Sequence, residues 1–286
     1  MSRIAIIGGG SMGEALLAGL LRSGRQVKDL VVAERAPQRA AYLAETYAVR
    51  VTGVGDAAEN AAHVLLAVKP ADVESVVAEI SDASARADGS AVEQVLVSVV
   101  AGVTTSFYES RLPAGSPVVR VMPNAPALVG AGVSALAKGR FVTDEQLAVV
   151  ARLFECVGGV LTVPEAQIDS VTAVSGSGPA YFFLFVEALV DAAVAIGLTR
   201  AVATELAVQT MAGSAAMLLE RLPEQGGLTS AVPDTSAAQL RAMVTSPGGT
   251  TAAGLRELER CGLRSAVADA VEAAKTRSEQ LGITSE

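Results

Sequence analysis

The stretch Ile4-Ala5-Ile6-Ile7-Gly8-Gly9-Gly10-Ser11-Met12-Gly13 decides the fold. Its four leading apolar residues, three of them β-branched, predict a buried strand, and residues 14–21 have the apolar spacing of a helix. Gly8, Gly10 and Gly13 fit G-x-G-x-x-G, where glycine allows a tight turn, the approach of a pyrophosphate, and close packing of helix on strand. We predict a dinucleotide with its pyrophosphate on the helix N-terminus; the alternative is a glycine-rich turn that binds nothing.

Length and composition indicate a globular chain of about two domains. Of its 286 residues, 51% are hydrophobic, 18% charged and 3% aromatic, which predicts a large core built mainly from aliphatic side chains. The net charge is −8 and basic residues form no run. Nucleic-acid binding requires clustered Lys and Arg, so we predict no nucleic-acid partner.

The Cys and His content excludes several kinds of chemistry. Cys156 and Cys261 are the two cysteines, and they form no C-x-x-C pair. A disulfide framework and a thiolate zinc site are therefore not expected. His63 is the one histidine and precedes an apolar strand, which indicates a strand-end residue without a chemical role. A Ser-His-Asp triad and a His-rich metal site lack their residues, and we predict no metal.

The pattern of apolar segments favours a cytoplasmic protein. The first strand begins after two residues, so we expect no signal peptide. The most apolar stretch, 180–197, carries Glu187 and Asp191 four residues apart on one helix face. We interpret this stretch as a buried helix rather than a membrane span.

Strand-like and helix-like segments alternate up to residue 163, which predicts a doubly wound parallel α/β sheet over 1–163. The later strands are predicted at 29–34, 49–52, 64–68, 95–100, 117–122, 133–137 and 160–163. Residues 164–286 form a predicted all-helical domain, with helices at 166–174, 179–196, 200–221, 236–245, 250–261 and 263–281. Residues 223–233 contain Gly and Pro and are predicted to form a mobile loop.

Two neighbouring charges after the second strand indicate different cofactors. Glu34 lies 21 residues after Gly13, where an acid bonds the adenosine ribose hydroxyls of NAD. Arg35 can bind the 2′-phosphate of NADP instead, and Arg39 lies one helical turn further on. Either charge could also be a solvated loop residue. Lys69 stands at the carboxyl end of a predicted strand, where open α/β sheets bind ligands.

Two helix starts in the second half have the composition of anion sites. Residues 175–181 (SGSGPAY) and 246–251 (SPGGTT) combine hydroxyls, glycines and free backbone N–H groups. Helix capping by Ser and Pro explains the same residues without a ligand. Because a dinucleotide-dependent chain must also bind a second substrate, we favour a binding role for 246–251.

Five motifs, in order along nearly the whole chain, resemble pyrroline-5-carboxylate reductase, the last enzyme of proline biosynthesis. They are 8–13 (GGGSMG), 67–70 (AVKP), 122–124 (MPN), 173–181 (AVSGSGPAY) and 244–251 (VTSPGGTT). The resemblance implies a Rossmann domain followed by an all-helical dimerisation and substrate domain like the C-terminal domain of 6-phosphogluconate dehydrogenase. It implies a homodimer, often assembled into a decamer, that reduces 1-pyrroline-5-carboxylate to L-proline with NADPH or NADH.

The resemblance also implies roles for individual residues. Cofactor contacts are implied for Gly8, Gly10, Ser11, Met12, Gly13, Arg35, Ala67, Val68, Lys69, Pro70, Val99, Val100 and Ala101. We also predict cofactor contacts for Glu34, from its spacing after the glycine motif, and for Asn124. Substrate contacts are implied for Ser246, Gly248, Gly249, Thr250 and Thr251, with the carboxylate on backbone N–H groups and the ring nitrogen on the catalytic Thr251 hydroxyl.

Two positions depart from the family pattern. Many relatives have Asn or Ser in place of Glu34, so the resemblance leaves the choice between NADP and NAD open. Ser236-Ala237 stands where many relatives have His-Pro. No role is therefore assigned to Asp234 or to the 223–236 loop.

The residue content independently favours an imine substrate. Reduction of a carbonyl needs a proton donor such as Lys, His or Tyr. No lysine occurs between Lys138 and Lys275, and no histidine follows His63. A cyclic imine arrives already protonated, so the protein need only position it against the nicotinamide and exclude water. Tyr181 is the alternative donor.

The residues leave two other functions open. One is an NAD(P)-dependent reductase of another small acceptor, such as a hydroxyacid or a deazaflavin. The other is a non-catalytic NAD(P)-binding regulator, which the 246–251 segment disfavours because a sensor needs no second anion site.

Overall fold

The computed structural model describes residues 2–86, 93–222 and 236–283. The strands in these residues are β1 (Ile4–Ile7), β2 (Leu30–Ala33), β3 (Arg50–Thr52), β4 (His63–Leu66), β5 (Val95–Ser98), β6 (Val118–Met122), β7 (Gly132–Lys138) and β8 (Gly158–Thr162). The α-helices are α1 (Ser11–Arg22), α2 (Pro37–Tyr47), α3 (Val54–Ala58), α4 (Val73–Arg86), α5 (Thr105–Glu109), α6 (Asp144–Phe154), α7 (Ile168–Val171), α8 (Gly178–Ala195), α9 (Arg200–Leu219), α10 (Ser236–Met243), α11 (Thr250–Arg260) and α12 (Leu263–Ile283). The loop predicted at 223–233 and Asp234 lie outside the described residues.

All eight strands form one sheet in the order β3-β2-β1-β4-β5-β6-β7-β8. The strands β1 to β6 are parallel, and β1 lies between β2 and β4. Alternate residues of β1 enter different cores: Ile4 and Ile6 pack with α1 and α6, whereas Ala5 and Ile7 pack with α3 and α4. Helices therefore cover both faces of the sheet, as the fully apolar strand sequences predict.

The last two strands add one antiparallel pair to the predicted doubly wound parallel sheet. β7 runs antiparallel to β6, and β8 is parallel to β7. The connection from β6 to β7 contains only a short 3-10 helix, Ala125–Val129, and a turn at Gly130, whose φ is 75°. A parallel pair needs a crossover of about a dozen residues, so this connection reverses the chain instead. The longer connection through α6 returns β8 parallel to β7.

The chain divides into two compact units, Met1–Pro179 with Val271–Glu286, and Ala180–Ala270. In the first unit, side-chain hydrogen bonds and an ion pair hold residues that follow the last strand, β8. The Glu165 carboxylate accepts hydrogen bonds from the Thr105 backbone N–H (2.7 Å) and hydroxyl (2.6 Å), and it pairs with buried Arg120 at 3.5 Å. In α12, Ser278 donates to Asp169 at 2.7 Å. The domain boundary at residue 163 stays a prediction.

Helix α8 corrects the prediction that 180–197 is buried. In the single chain Phe182, Phe183, Leu184 and Phe185 are 61%, 66%, 65% and 48% exposed. Only one side of α8 packs, where Val190 meets α9. Glu165–Ala195 and Arg200–Leu219 are long and apolar enough to cross a membrane by length and composition alone, which is weak evidence for a span. The exposed Phe182, Phe183 and Phe185, called the aromatic row below, instead need another apolar surface to cover them.

Candidate cofactor and substrate sites

A cleft of about 380 Å³ lies at the carboxyl ends of β1, β2 and β4. Seven residues with a predicted cofactor contact line it: Gly8, Gly10, Glu34, Arg35, Ala67, Val68 and Lys69. The end of β3 and the start of α4 complete the wall, through Thr52, Gly53, Asp72 and Ser75. The cleft therefore has the place in the sheet at which open α/β folds bind nucleotides.

The glycine-rich turn at the base of this cleft has room for a ligand at one position only. A Cβ on Gly8, whose φ is 101°, would lie 2.5 Å from the Ala67 carbonyl oxygen. A Cβ on Gly13 would overlap the Gly8 carbonyl oxygen. A Cβ on Gly10 would meet nothing within 4 Å. At Gly8 and Gly13, glycine is thus needed to avoid clashes within the protein, whereas at Gly10 it leaves space above the backbone.

Helix α1 directs unpaired backbone donors toward that space. Its N-cap is Gly10, which supplies no side-chain hydrogen bond. The first-turn N–H groups of an α-helix have no intrahelical acceptor, and the helix dipole adds partial positive charge. A diphosphate fits this combination of open space and donors. The residues present therefore fit an NAD(P) pyrophosphate at Gly10, Ser11, Met12 and Gly13.

The peptide groups of Gly9 are fixed by two charged side chains. Glu34, which follows β2, accepts a hydrogen bond from the Gly9 N–H through Oε2 at 2.9 Å. Arg39, in α2, donates from Nε to the Gly9 carbonyl at 2.6 Å. The same arginine pairs with Glu14 of α1. The turn is thus held from both sides before any ligand arrives.

Glu14 keeps Arg39 in place. Tyr47 donates to the Glu14 carboxylate at 2.8 Å and Tyr42 at 3.1 Å. Burial opposes ionisation of Glu14, but hydrogen bonds from Arg39 and the two tyrosines outweigh it and lower the pKa of the carboxyl. Burial and the bond to Glu14 raise the pKa of Tyr47 to about 12. Glu14 is therefore a charged partner for Arg39 at neutral pH.

Arg35 and Asp72 form an ion pair across the mouth of the cleft. Nη1 of Arg35 lies 2.8 Å from Oδ1 of Asp72, and Nη2 lies 3.0 Å from Oδ2. Glu34 is held by two backbone donors, since its Oε1 also accepts from the Ala36 N–H at 2.8 Å. The two charges that the sequence offers for cofactor selection are both engaged within the protein.

The other predicted cofactor residues lie at neighbouring strand ends. Val100 is buried in the core, so only its backbone can reach a ligand, whereas Ala101 is exposed. Asn124 follows β6 and accepts the Val133 N–H through Oδ1 at 2.9 Å. Val99 packs partly buried against the core. Pro70 is exposed and begins a 3-10 helix. The contacts of all five with a cofactor stay predictions.

The predicted substrate segment begins α11 in the second unit. Gly249 is the N-cap without a side-chain bond, and its N–H donates to the Ser246 carbonyl at 3.1 Å. Gly248 has a φ of 71°, and a Cβ there would meet nothing within 4 Å. Thr250 and Thr251 are exposed at the helix start. The segment thus presents backbone donors and two hydroxyls to whatever approaches it.

Ionisable groups suited to proton transfer are scarce in the described parts of the chain. His63 is 7% exposed, and burial, with a contribution from Arg25, lowers its pKa, so the ring is neutral. Lys275 is paired with Glu279 at 3.1 Å in α12. Within residues 2–86, 93–222 and 236–283, no three His, Cys, Asp or Glu side chains form a group that could hold a metal.

Comparison with known proteins decides between the functions left open by the residues. A family model described as pyrroline-5-carboxylate reductase dimerisation matches residues 165–281, and one described as NADP oxidoreductase, coenzyme F420-dependent, matches 3–102. The pyrroline-5-carboxylate reductase of Mycobacterium tuberculosis strain H37Rv is 69% identical, covering 100% of this chain and 99% of its own. The chain belongs to the pyrroline-5-carboxylate reductase family.

Solved structures of pyrroline-5-carboxylate reductases have the same fold over the whole chain. A structure from Coxiella burnetii has a TM-score of 0.86 at 36% identity and covers 98% of both chains. A Plasmodium falciparum structure with NADP bound has a TM-score of 0.80 at 29% identity, again covering 98% of both. The predicted family and the predicted order, a Rossmann-like sheet followed by an all-helical dimerisation domain, are confirmed.

Membership of this family makes the chain an NAD(P)H-dependent oxidoreductase that reduces pyrroline-5-carboxylate in proline biosynthesis. The individual contacts predicted for cofactor and substrate are not part of what the relatives establish. They stay predictions for this chain, supported by the geometry of the cleft and of α11.

Sequence reasoning missed the side chains that hold the nucleotide turn and the Arg35 partner. The sequence shows Arg39 one helical turn after Arg35, but its bond to Gly9 joins residues 30 positions apart. Glu14 and Tyr47 meet only because α1 and α2 fold together. The sequence does not indicate that Asp72 pairs with Arg35; it shows only that Asp72 follows soon after the end of a predicted strand.

Proposed function

We propose that the chain reduces 1-pyrroline-5-carboxylate to L-proline in the cytoplasm, with the dinucleotide in the cleft at Gly10 and the substrate carboxylate on 246–251. The observation that carries this proposal is the match to pyrroline-5-carboxylate reductases over both halves of the chain. The cytoplasmic location is supported by two free thiols, Cys156 and Cys261, which form no disulfide.

Bound NAD(P)H supplies the hydride. The protein must hold the substrate carboxylate, keep the C=N carbon oriented and keep water away. In this proposal the first N–H groups of α11 bind the carboxylate, because Gly249 leaves them without a side-chain cap. Gly248 and Gly249 bring no side chains that would compete for the same space.

Thr251 is proposed to accept a hydrogen bond from the protonated imine nitrogen. A threonine hydroxyl does not titrate near neutral pH, so it stabilises the cation without removing its proton. Hydride addition to the cation yields the neutral secondary amine directly, and no protein acid is consumed. The neutral, buried His63 and the paired Lys275 agree with this, because neither is suited to donate a proton.

Steady-state kinetics with the cyclic imine test the proposal. We expect turnover with NADPH and with NADH when 1-pyrroline-5-carboxylate is supplied. Absence of turnover with both cofactors would remove the proposal. A deazaflavin is one comparison acceptor, because the model of F420-dependent oxidoreductases matches residues 3–102. A 2-oxo acid, the oxidised form of a hydroxyacid, is the other. Faster turnover of either would replace the cyclic imine as the substrate.

We also propose that the chain forms homodimers that assemble into a decamer. The support is the matched dimerisation model and the exposed aromatic row of α8. Burial of one such side chain contributes about 1.5–3 kcal/mol, so the row favours association strongly.

A charge placed in that row should weaken assembly. We expect Phe183→Asp to raise the concentration at which the oligomer dissociates at least about tenfold, as followed by sedimentation velocity. Phe141→Asp is the matched control, because Phe141 is 41% exposed and lies outside the matched dimerisation segment. Sedimentation of the parent as a single chain at micromolar concentration would contradict the dimer, and sedimentation only as a dimer would contradict the decamer.

A further inference from the structure

The Arg35–Asp72 pair spans the part of the cleft that follows β1. Arg35 comes after β2 and Asp72 after β4, and these strands flank β1 in the sheet. Both residues line the same cleft as Gly8 and Gly10. The Arg35 side chain is 79% exposed, whereas that of Asp72 is only 24% exposed. The guanidinium is thus drawn to a partly buried carboxylate on the opposite side of the cleft.

The geometry of the pair uses the same two donors that an arginine offers to a phosphate. Its N–O distances are 2.8 and 3.0 Å, with each nitrogen on a different carboxylate oxygen. Arginine recognises carboxylates and phosphates through this two-point contact. Asp72 therefore occupies the donors that a 2′-phosphate would need.

The Glu34 carboxylate adds a fixed negative charge to this end of the cleft. Its two oxygens are bound by the N–H groups of Gly9 and Ala36, so the carboxylate is fixed near the nucleotide turn. Arg39 is occupied as well, by the Gly9 carbonyl and Glu14. A 2′-phosphate arriving here meets a fixed carboxylate, and its best cationic partner is engaged elsewhere.

We infer that Asp72 is a specificity-determining residue that disfavours NADPH relative to NADH by holding Arg35. This inference rests on the proposed use of NAD(P)H in this cleft and adds to it the residue that sets the preference. A 2′-phosphate must break the Arg35–Asp72 pair and leaves Asp72 close to a second anion. The 2′-hydroxyl of NADH breaks no ion pair and can donate to a lone pair of Glu34.

Asp72→Asn tests the inference with little change in shape. Asparagine is isosteric with aspartate, so the 3-10 helix Pro70–Asp72 should keep its shape. We expect the ratio of the Kd for NAD⁺ to the Kd for NADP⁺ to rise about three- to fivefold, as expected for releasing an exposed ion pair. The kcat/KM ratio for NADPH over NADH should rise equally.

Two further variants separate this role from a general charge effect. Glu74→Gln removes a charge two residues away that pairs with Arg111 at 3.7 Å instead, and it should leave the ratio unchanged. In the Arg35→Gln, Asp72→Asn double variant the gain for NADP⁺ should disappear. An unchanged ratio in Asp72→Asn, a gain that persists without Arg35, or an equal gain in Glu74→Gln would each overturn the inference.

The binding ratio keeps this test separate from the proposed reaction. If neither cofactor supports imine reduction, the proposed function fails, yet the Kd ratio of Asp72→Asn still decides whether Asp72 selects the cofactor. If the parent turns over normally but the Kd ratio does not move, the inference alone fails.

Discussion

We expect Gly10→Val to lose NAD(P)H binding by about 100-fold or more, while the loss of a favourable N-cap residue lowers its Tm by only about 2–4 °C. A Cβ at this position meets nothing within 4 Å, and the backbone there has a φ of −66° and a ψ of −173°, which valine adopts readily. The fold therefore tolerates the side chain. The added methyl groups occupy the space through which a pyrophosphate would reach the N–H groups of α1. Fluorescence titration with NADPH and a thermal melt measure the two effects.

Gly13→Ala is the matched control within the same turn. Its Cβ would overlap the Gly8 carbonyl oxygen, so β1 and α1 must move apart. We expect this variant to lose stability together with cofactor binding, because the cost falls on the packing of the protein itself. A Gly10→Val variant that binds NADPH as the parent does would show that the cofactor lies elsewhere.

The three glycines of this turn also show what a sequence can and cannot predict. The motif that contains Gly8, Gly10 and Gly13 is local, so strand, turn and helix follow directly from ten consecutive residues. Predicting which of the glycines faces a ligand requires the neighbours of each missing Cβ, and those neighbours include Ala67, more than fifty residues away. The motif predicts the site, whereas the geometry distinguishes internal packing from space for a ligand.

The sheet was predictable in its strands but not in every direction. The apolar runs of β1, β2, β4 and β5 predict buried central strands, and those strands lie at the centre of the sheet. Alternation with helices predicts parallel strands, and it fails at β7, where the connecting chain is too short for a crossover. The direction depends on connection length, which strand and helix patterns do not measure.

The prediction that α8 is buried failed for a different reason. Its apolar sequence predicts burial, whereas Phe182 to Phe185 are exposed among the residues that the structure describes. Amino-acid composition reports that a helix needs an apolar environment, but not whether the same chain or a second copy provides it. The match to a dimerisation model over 165–281 supports the proposal that a second copy covers these side chains.

The charges around the cleft were the least predictable part of the candidate site. From the sequence, Glu34 and Arg35 are two free charges that favour different cofactors. In the folded chain each is bound by a group from another segment, Gly9 for Glu34 and Asp72 for Arg35. The charge available to a ligand therefore depends on tertiary partners, and residue identity alone cannot decide the cofactor preference.

The second large effect is expected at Thr251. We expect Thr251→Ala to lower kcat/KM for the cyclic imine by about 10- to 100-fold, since a hydrogen bond to a charged group contributes about 1.5–3 kcal/mol. The Kd for NADPH should change less than about twofold, because Thr251 belongs to α11 and not to the nucleotide turn. Steady-state kinetics and fluorescence titration separate the two quantities.

Two variants test whether the hydroxyl itself is responsible. Thr251→Ser keeps the hydroxyl and should retain most of the parent activity. Thr210→Ala removes an exposed threonine from α9 in the same unit and should have no effect on the reaction. Equal losses in Thr251→Ser and Thr251→Ala would assign the effect to the missing methyl group and to packing.

The pH dependence of these variants distinguishes hydroxyl stabilisation from proton donation. If the imine arrives protonated and Thr251 only accepts its hydrogen bond, kcat/KM follows the ionisation of the substrate, and Thr251→Ala lowers the profile without moving it along the pH axis. If a protein group such as Tyr181 donates the proton, its removal should abolish one limb of the profile. A Tyr181→Phe variant with the parent pH profile would support the imine mechanism, whereas loss of a limb would replace Thr251 with an ionisable donor.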